Sequence, residues 1–333
     1  MTAALLIDII VLSLLTLTGI AIARMRDLFA AVMLSGIYGL LSASFFVIND
    51  AVDVAFTEAS VGAGIFPLLM LAVLSLVDRY EKPQTTSNWI PAIISIGVVI
   101  TLCLAITQLP AFGDPNAPAN THVAERYIQD SPQEIGIPNM VTSVLASYRG
   151  FDTFGEVVVI FTATIGVLVI LLPGTFKETR HRSLGSADMA DHKVLRVVGK
   201  MLIPLMLIFA LYVQFHGDYG PGGGFQAGVI FAAGIILYAM LFGVNAAHRV
   251  MPPPILRVVA ALGVLIYGSV GIVSLVNGGT FLDYNVLLAD PIAGQHVGIL
   301  VIEFGVGITV AAAMMLIFFA FSEAAHSDEG AVS

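Results

Sequence analysis

Nine apolar runs, each about as long as a bilayer core is thick, divide this chain. They lie near residues 3–22, 28–48, 54–76, 89–109, 154–172, 197–215, 225–242, 255–276 and 297–321. A run of about 20 apolar residues is what a helix needs to cross a membrane. In hydrocarbon no water satisfies the backbone, so such a run must bond its own N–H and C=O groups as a helix. The pattern therefore predicts an all-α, polytopic membrane protein with nine transmembrane helices. The chain of 333 residues is 58% hydrophobic and only 11% charged, too little charge to cover a soluble domain of that length.

The basic residues set an expected orientation. With the N-terminus outside, the inner segments hold Arg24, Arg26, Arg79, Lys82, Lys177, Arg180, Arg182, Lys193, Arg196, Lys200, Arg249 and Arg257, which leaves only Arg126 and Arg149 outside. This is the positive-inside bias, and with an odd number of spans it puts the C-terminus inside. Residues 1–22 lack the basic start and the small-residue cleavage site of a signal peptide. The net charge of −9 does not point to nucleic acid. Much of the acidity lies in the outer loop 110–138, at Asp114, Glu125, Asp130 and Glu134. That loop reads either as a solvated cap or as a funnel that concentrates cations. A single cysteine, Cys103, excludes an internal disulfide and a Cys-rich metal site, and its apolar setting predicts a small core residue.

Against this background five carboxylates stand out: Asp53, Glu58, Asp152, Glu156 and Glu303. A charged side chain near the bilayer centre costs roughly 2.5 kcal/mol or more, so it persists where it meets a partner, a wet cavity or an ion path. Asp53 and Glu58 are about 140° apart on an ideal helix, and Glu58 lies deeper among the small residues Ser60, Gly62 and Gly64. Asp152 and Glu156 share one face at i,i+4, after a possible break at Gly150. Arg149 is a candidate counter-ion, and Asp152 is equally readable as a helix cap. The segment from His216 to Phe225 holds Pro221 followed by three glycines, so it is no ordinary helix interior. It reads as a tight hairpin, or as a relay in which His216 and Asp218 pass protons. Glu303 stands alone amid apolar residues, with Gly305 and Gly307 positioned to admit a neighbouring helix. Asp8, His248 and His296 fall near span ends, where water is expected.

Two polar stretches, 110–138 and 173–200, divide the spans into groups of four, one and four. No internal repeat is visible. Self-sufficient secondary transporters commonly carry one, so its absence favours a component of a larger assembly.

Taken together, these motifs resemble the Mrp-type multisubunit sodium/proton antiporters and the related ion-pumping modules of membrane-bound hydrogenases. Asp-Val-Ala-Phe-Thr-Glu-Ala-Ser-Val-Gly-Ala-Gly at 53–64 and Tyr-Arg-Gly-Phe-Asp-Thr-Phe-Gly-Glu at 148–156 are similar to the C-terminal part of the large Mrp subunit. His-Gly-Asp-Tyr-Gly-Pro-Gly-Gly-Gly-Phe at 216–225, and the ending Glu303-Phe-Gly-Val-Gly, are similar to the MnhB-type subunit. The MnhB type usually carries a second His where this chain has Asp218. The resemblance implies a fusion of these two parts. Residues 1–83 form a three-helix, MbhD-like module resembling the tail of the large subunit, and 84–175 a two-helix, MbhE-like module with an outer loop. Residues 176–194 are a cytoplasmic linker, and 195–333 a four-helix, MnhB-like module.

What the resemblance implies is an accessory or coupling subunit in a bacterial or archaeal cytoplasmic membrane, with no enzymatic activity and no cofactor. Its expected partners are other antiporter subunits, including a large antiporter-like one, with lipid, Na⁺ and H⁺. The expected ion or proton path takes in Asp53, Glu58, Arg149, Asp152, Glu156, His216, Asp218 and Glu303, with transient Na⁺ near Glu58, Asp152 and Glu156. Two alternatives stay open: a membrane arm of a redox-driven complex, or a purely structural scaffold.

Overall fold

The computed structural model describes residues 3–74, 76–82, 89–111, 113–171 and 192–329, with the side chains of 5–324 among them. The linker expected at 176–194 lies outside the described residues up to 191, and so do Lys177, Arg180 and Arg182. Among the described residues, nine helices are long and apolar enough to cross a membrane. They are α1 (Leu5–Arg24), α2 (Leu28–Ile48), α3 (Val52–Leu74), α4 (Trp89–Ile106), α5 (Gly150–Leu171), α6 (Lys193–His216), α7 (Gly224–Phe242), α8 (Pro253–Val276) and α9 (Pro291–Ala324). The expected spans are all present. The largest difference is at α9, which starts six residues before the expected 297. Asp290 explains it: its carboxylate accepts from the Ile292 N–H at 3.1 Å and caps a helix that begins with Pro291.

Two stretches are wound more widely than an α-helix. Ala59–Ile65 within α3 is π-helical, and so is Ser143–Tyr148, which follows a single turn at Met140–Thr142 and leads into α5. Such turns shift the hydrogen-bond register and leave carbonyls to be satisfied from elsewhere. Here two buried tyrosines do so. Tyr284 donates its hydroxyl to Ala146 O at 2.9 Å, and Tyr267 of α8 donates to Gly150 O at 2.7 Å. Gly150 is required by that approach, since a Cβ there would sit 3.0 Å from the Tyr284 hydroxyl.

The core is built around α9, which packs against α5, α7 and α8. Contact is close because backbone meets backbone. A Cβ on Gly228 of α7 would lie 2.6 Å from Gly307 O, and one on Gly305 would lie 2.7 Å from Gly263 O of α8. Gly305 and Gly307 thus admit neighbouring helices, as the sequence suggests. On the other side α1 packs on α2, and α2 on α3. The turn between α1 and α2 is tied to the segment after α3. Asp27 caps α2 and meets Arg79 at 2.7 Å, while Leu28 N–H donates to Arg79 O at 2.9 Å.

Three expectations change. Cys103 is exposed rather than in a core, because no residue of α4 is buried by the described chain. An apolar span gains nothing by leaving lipid, so it need not be covered by its own protein. Asp8, expected to be solvated, has one carboxylate oxygen buried without a hydrogen-bond partner. His248 packs against the Phe319 ring at 4.5 Å and lies 3.8 Å from Glu323.

Candidate functional site

Residues 217–223 connect α6 to α7 and fold straight over the α9 carboxylate. Gly223 has φ of +118°, a conformation natural only to glycine, and its N–H donates back to Val213 O at 3.0 Å. A Cβ on Gly217 would lie 3.0 Å from Glu303 Oε2, and one on Gly223 would lie 3.1 Å from Oε1. Gly224 rests on the Glu303 carbonyl. The glycine run is therefore a tight hairpin whose missing side chains make room for Glu303.

Beneath this hairpin lies a cavity of about 240 Å³, enough for several waters. It is walled by α3, α5, α7, α9 and the short helix at 140–148. Asp53, Glu156 and Glu303 all line it, each from a different spanning helix. Thr57, Thr142, Thr153 and Gln226 add polar groups, and Val157, Ile160 and Val306 close the apolar side. The carboxylates face a common space without converging on one point. Among the described residues no three His, Cys, Asp or Glu side chains are placed to hold a metal ion.

Asn139 ties the upper part together. It caps the helix at 140–148, accepting from Val141 N–H at 2.9 Å. Its amide nitrogen lies 3.1 Å from Asp53 Oδ1, 3.1 Å from Gly217 O and 3.0 Å from Gly220 O. Thr142 donates to the same Gly217 carbonyl at 2.7 Å. Lower down, Gln226 of α7 donates to Thr57 Oγ1 of α3 at 2.7 Å. The hairpin is thus fastened to α3 through side chains distant in sequence.

The remaining expected residues are placed elsewhere. Glu58 folds back over Gly62, where a Cβ would lie 2.5 Å from its carboxylate, on the α3 segment that meets Gly39 of α2. Asp152 pairs with Arg149 at 2.7 Å, with both side chains more than half exposed. Of the three residues near which transient Na⁺ is expected, Glu156 lines the cavity, while Glu58 and Asp152 do not. His216 stacks on Tyr212 and lines a second, mostly apolar hollow of about 530 Å³ between α2, α3 and α6. It does not pair with Asp218. The partner of Asp218 is His296 of α9, at 3.6 Å. Burial pushes the Asp218 carboxyl up from its ordinary value, and His296 opposes that shift.

In the loop before Asn139, Glu134 accepts from the Tyr148 hydroxyl and meets Arg126 at 2.9 Å. The Tyr148 and Arg126 bonds hold the Glu134 carboxyl below its usual range, while burial and Glu134 raise Tyr148 to about 12.

Comparison with known proteins decides the family. Residues 194–316 match a family model described as a domain related to the MnhB subunit of Na⁺/H⁺ antiporters. Residues 13–79 and 93–182 match the MbhD and MbhE models, both described as subunits of MBH. A Staphylococcus aureus (strain Newman) protein carrying the name antiporter subunit mnhB2 is 33% identical over 132 residues, which cover 93% of it and 39% of this chain. The chain belongs to the Mrp/Mnh family of antiporter subunits. A protein of Rhizobium meliloti (strain 1021), named as the A/B component of a K⁺/H⁺ antiporter, is 26% identical over 93% of this chain and 34% of its own length. In the solved Mrp complex from Dietzia sp. DQ12-45-1b, one chain superposes with a TM-score of 0.74 at 28% identity, covering 94% of this chain and 34% of that one. This Mrp-family chain thus spans about a third of the length of those two relatives. Within it, the sequence motifs locate Asp53, Glu156 and Glu303. Asn139, Gln226 and His296 enter through the fold. Asn139 carries a local signal, an Asn after proline at the head of an apolar run.

Proposed function

We propose that this chain is a coupling subunit of a multisubunit monovalent cation/proton antiporter in a prokaryotic cytoplasmic membrane. Asp53, Glu156 and Glu303 line its chamber for protons or for a cation such as Na⁺. The observation that carries this reading is the meeting of three carboxylates, from three spans, on one cavity roofed by a glycine hairpin. Desolvation favours the neutral form of such a carboxyl, and a nearby cation favours the charged form. Protons and cations therefore compete for the same oxygens, which is the physical basis of exchange. Other antiporter subunits, a large antiporter-like one among them, supply the alternating machinery. The N-terminus lies outside and the C-terminus inside, following the charge bias. The modules 1–83, 84–175 and 195–333 descend from separate subunits, a division supported by the three matched ranges. Glu58 and Asp152 stand outside this chamber.

The test is E303Q and D53N in the assembled complex, reconstituted in vesicles. Sodium-driven proton flux should fall on the order of a hundredfold in E303Q, as when a positioned proton carrier is removed. Normal flux in both assembled variants removes the chamber from the mechanism, and loss of assembly in both makes it a scaffold. A second reading is a membrane arm of a redox-driven complex, favoured because two of the three matched models are described as MBH subunits. Iron–sulfur subunits purifying with the chain would select it.

A further inference from the structure

The chamber needs a way to exchange protons with water, and one titratable pair outside its lining is suitably placed. His296 and Glu303 are seven residues apart on α9, hence within about 20° of the same face and about 10.5 Å apart along the axis. Asp218 lies 3.6 Å from His296. The preceding residue, Gly217, lies against Glu303, where a Cβ would be 3.0 Å from Oε2. The His296 side chain is 37% exposed and that of Asp218 is 19% exposed, so the series runs from wetter to drier. Gly136 of the outer loop stands over the imidazole, where a Cβ would be 3.8 Å from Nε2. The backbone around Asp218 is held still, because its carbonyl accepts from Asn139 N–H at 3.0 Å.

We propose that the His296–Asp218 pair is the port through which protons pass between the aqueous phase and Glu303. This rests on the chamber reading above. His296 takes a proton from hydronium in the aqueous phase, leaving water, and becomes imidazolium. It gives that proton to the Asp218 carboxylate and returns to neutral imidazole. Asp218 passes it to the Glu303 carboxylate and is a carboxylate again. A separation of 3.6 Å is longer than a hydrogen bond, so transfer runs through a bridging water or a small side-chain rotation. The charged groups on elements packed around α9 near His296 are Asp218, Glu134 and Arg126 of the loop 113–138, Arg149, Asp152 and Glu156 at the head of α5, Asp283 and Asp290 before α9, and Glu303 along it. Among the described residues Asp218 alone is within ion-pair distance of His296.

The test measures cation-driven proton flux against pH in vesicles holding the assembled complex, for H296Q, H296A and D218N beside E303Q. H296Q should lose about tenfold at neutral pH, less than E303Q because water still reaches Asp218 directly. With the opposing imidazolium gone, Asp218 holds its proton to higher pH, so the remaining activity shifts to the alkaline side. Added imidazole should restore flux in H296A, which a purely structural histidine would not allow. Assembled H296Q with wild-type rate and pH profile overturns the port. Failure of all three port variants to assemble also overturns it, since the pair is then a strut. If H296Q is normal while E303Q is inactive, the port falls and the chamber stands. If E303Q and D53N are both normal, the chamber itself falls and the port with it.

Discussion

The ninth span and the fourth are both long apolar helices, yet 72% of the best window of α9 is buried in the chain and none of α4 is. Hydrophobicity does not separate them, with mean hydropathy of 2.3 and 2.5 respectively. What separates them is shape. Around α9, Gly228, Gly263, Gly305 and Gly307 bring backbones together, whereas a Cβ on Gly97 of α4 would meet nothing within 4 Å. In lipid, apolar side chains gain little by leaving their solvent, so close packing decides which spans form a core. The MnhB-like half carries such a core, and the chamber lies where α3 and α5 dock onto it.

The sharpest way to break this contrast is to enlarge matched glycines. G228L drives a side chain into the Gly307 carbonyl and the Val310 side chain. Overpacking of this kind costs about 1–3 kcal/mol or more, and here it also separates α7 from α9. Little folded protein should be recovered in detergent. G97L should leave yield and melting temperature unchanged. Equal behaviour of the two variants would show that glycine packing does not distinguish the halves.

Next in size is Y267F. It leaves Gly150 O buried without its donor, a loss of about 1–3 kcal/mol. Y219F, at an exposed ring in the hairpin, should stay within about 0.5 kcal/mol of wild type. A thermal shift series on the purified chain compares them. A neutral Y267F would mean that the widened turn before α5 is satisfied by other groups.

The spans were legible because a bilayer imposes one length and one period on every crossing segment. Asp53, Glu156 and Glu303 were legible for the opposite reason, as charges where hydrocarbon should be. The π-turns at Ala59–Ile65 and Ser143–Tyr148 left no trace, since one extra residue per turn does not disturb an unbroken apolar run. Glu58 illustrates the consequence, since its carboxylate packs on Gly62 of its own helix rather than in the chamber. The partners that organise the site were hidden because they come from far along the chain, as Asn139 does for Asp53 and His296 for Asp218. The 216–225 motif showed that His216 and Asp218 are neighbours in sequence, but the hairpin parts them, His216 lining the apolar hollow and Asp218 meeting His296.

The loop over 113–138 offers a pH test of how the middle of the chain is held. Glu134 is bonded to Tyr148 and Arg126, and its carboxyl lies below the ordinary 4.5. A depressed acid stabilises above its unfolded value, and that contribution is lost as pH falls through the lowered one. Tyr148 is raised from 10.0 to about 12, so its contribution is complete below 10 and lost as pH rises through 12. Hydrogen exchange across 113–138 should therefore be slow near neutrality and accelerate below pH 4.5, while α7–α9 stay protected. Y148F should speed exchange at neutral pH and flatten both limbs. Unchanged protection about one pH unit below that value would mean that apolar contacts hold the loop.

The smallest effect separates two roles of one residue at the α1–α2 turn. Asp27 caps α2 through the Phe29 N–H at 3.0 Å and also pairs with Arg79, whose side chain is 61% exposed. Exposed ion pairs contribute little, while caps contribute more consistently. D27A removes both roles, D27N keeps the cap, and R79A removes the pair. Melting temperatures should fall slightly in D27A, and by less in D27N and R79A, which should match each other. Raising salt should erase the small deficit of D27N and R79A, because screening removes only the ionic part. If D27N instead behaves like D27A and salt narrows both, charge rather than helix capping joins the weakly buried α1–α3 side. The contrast with the glycine-packed core around α9 would then be one of forces as well as of shape.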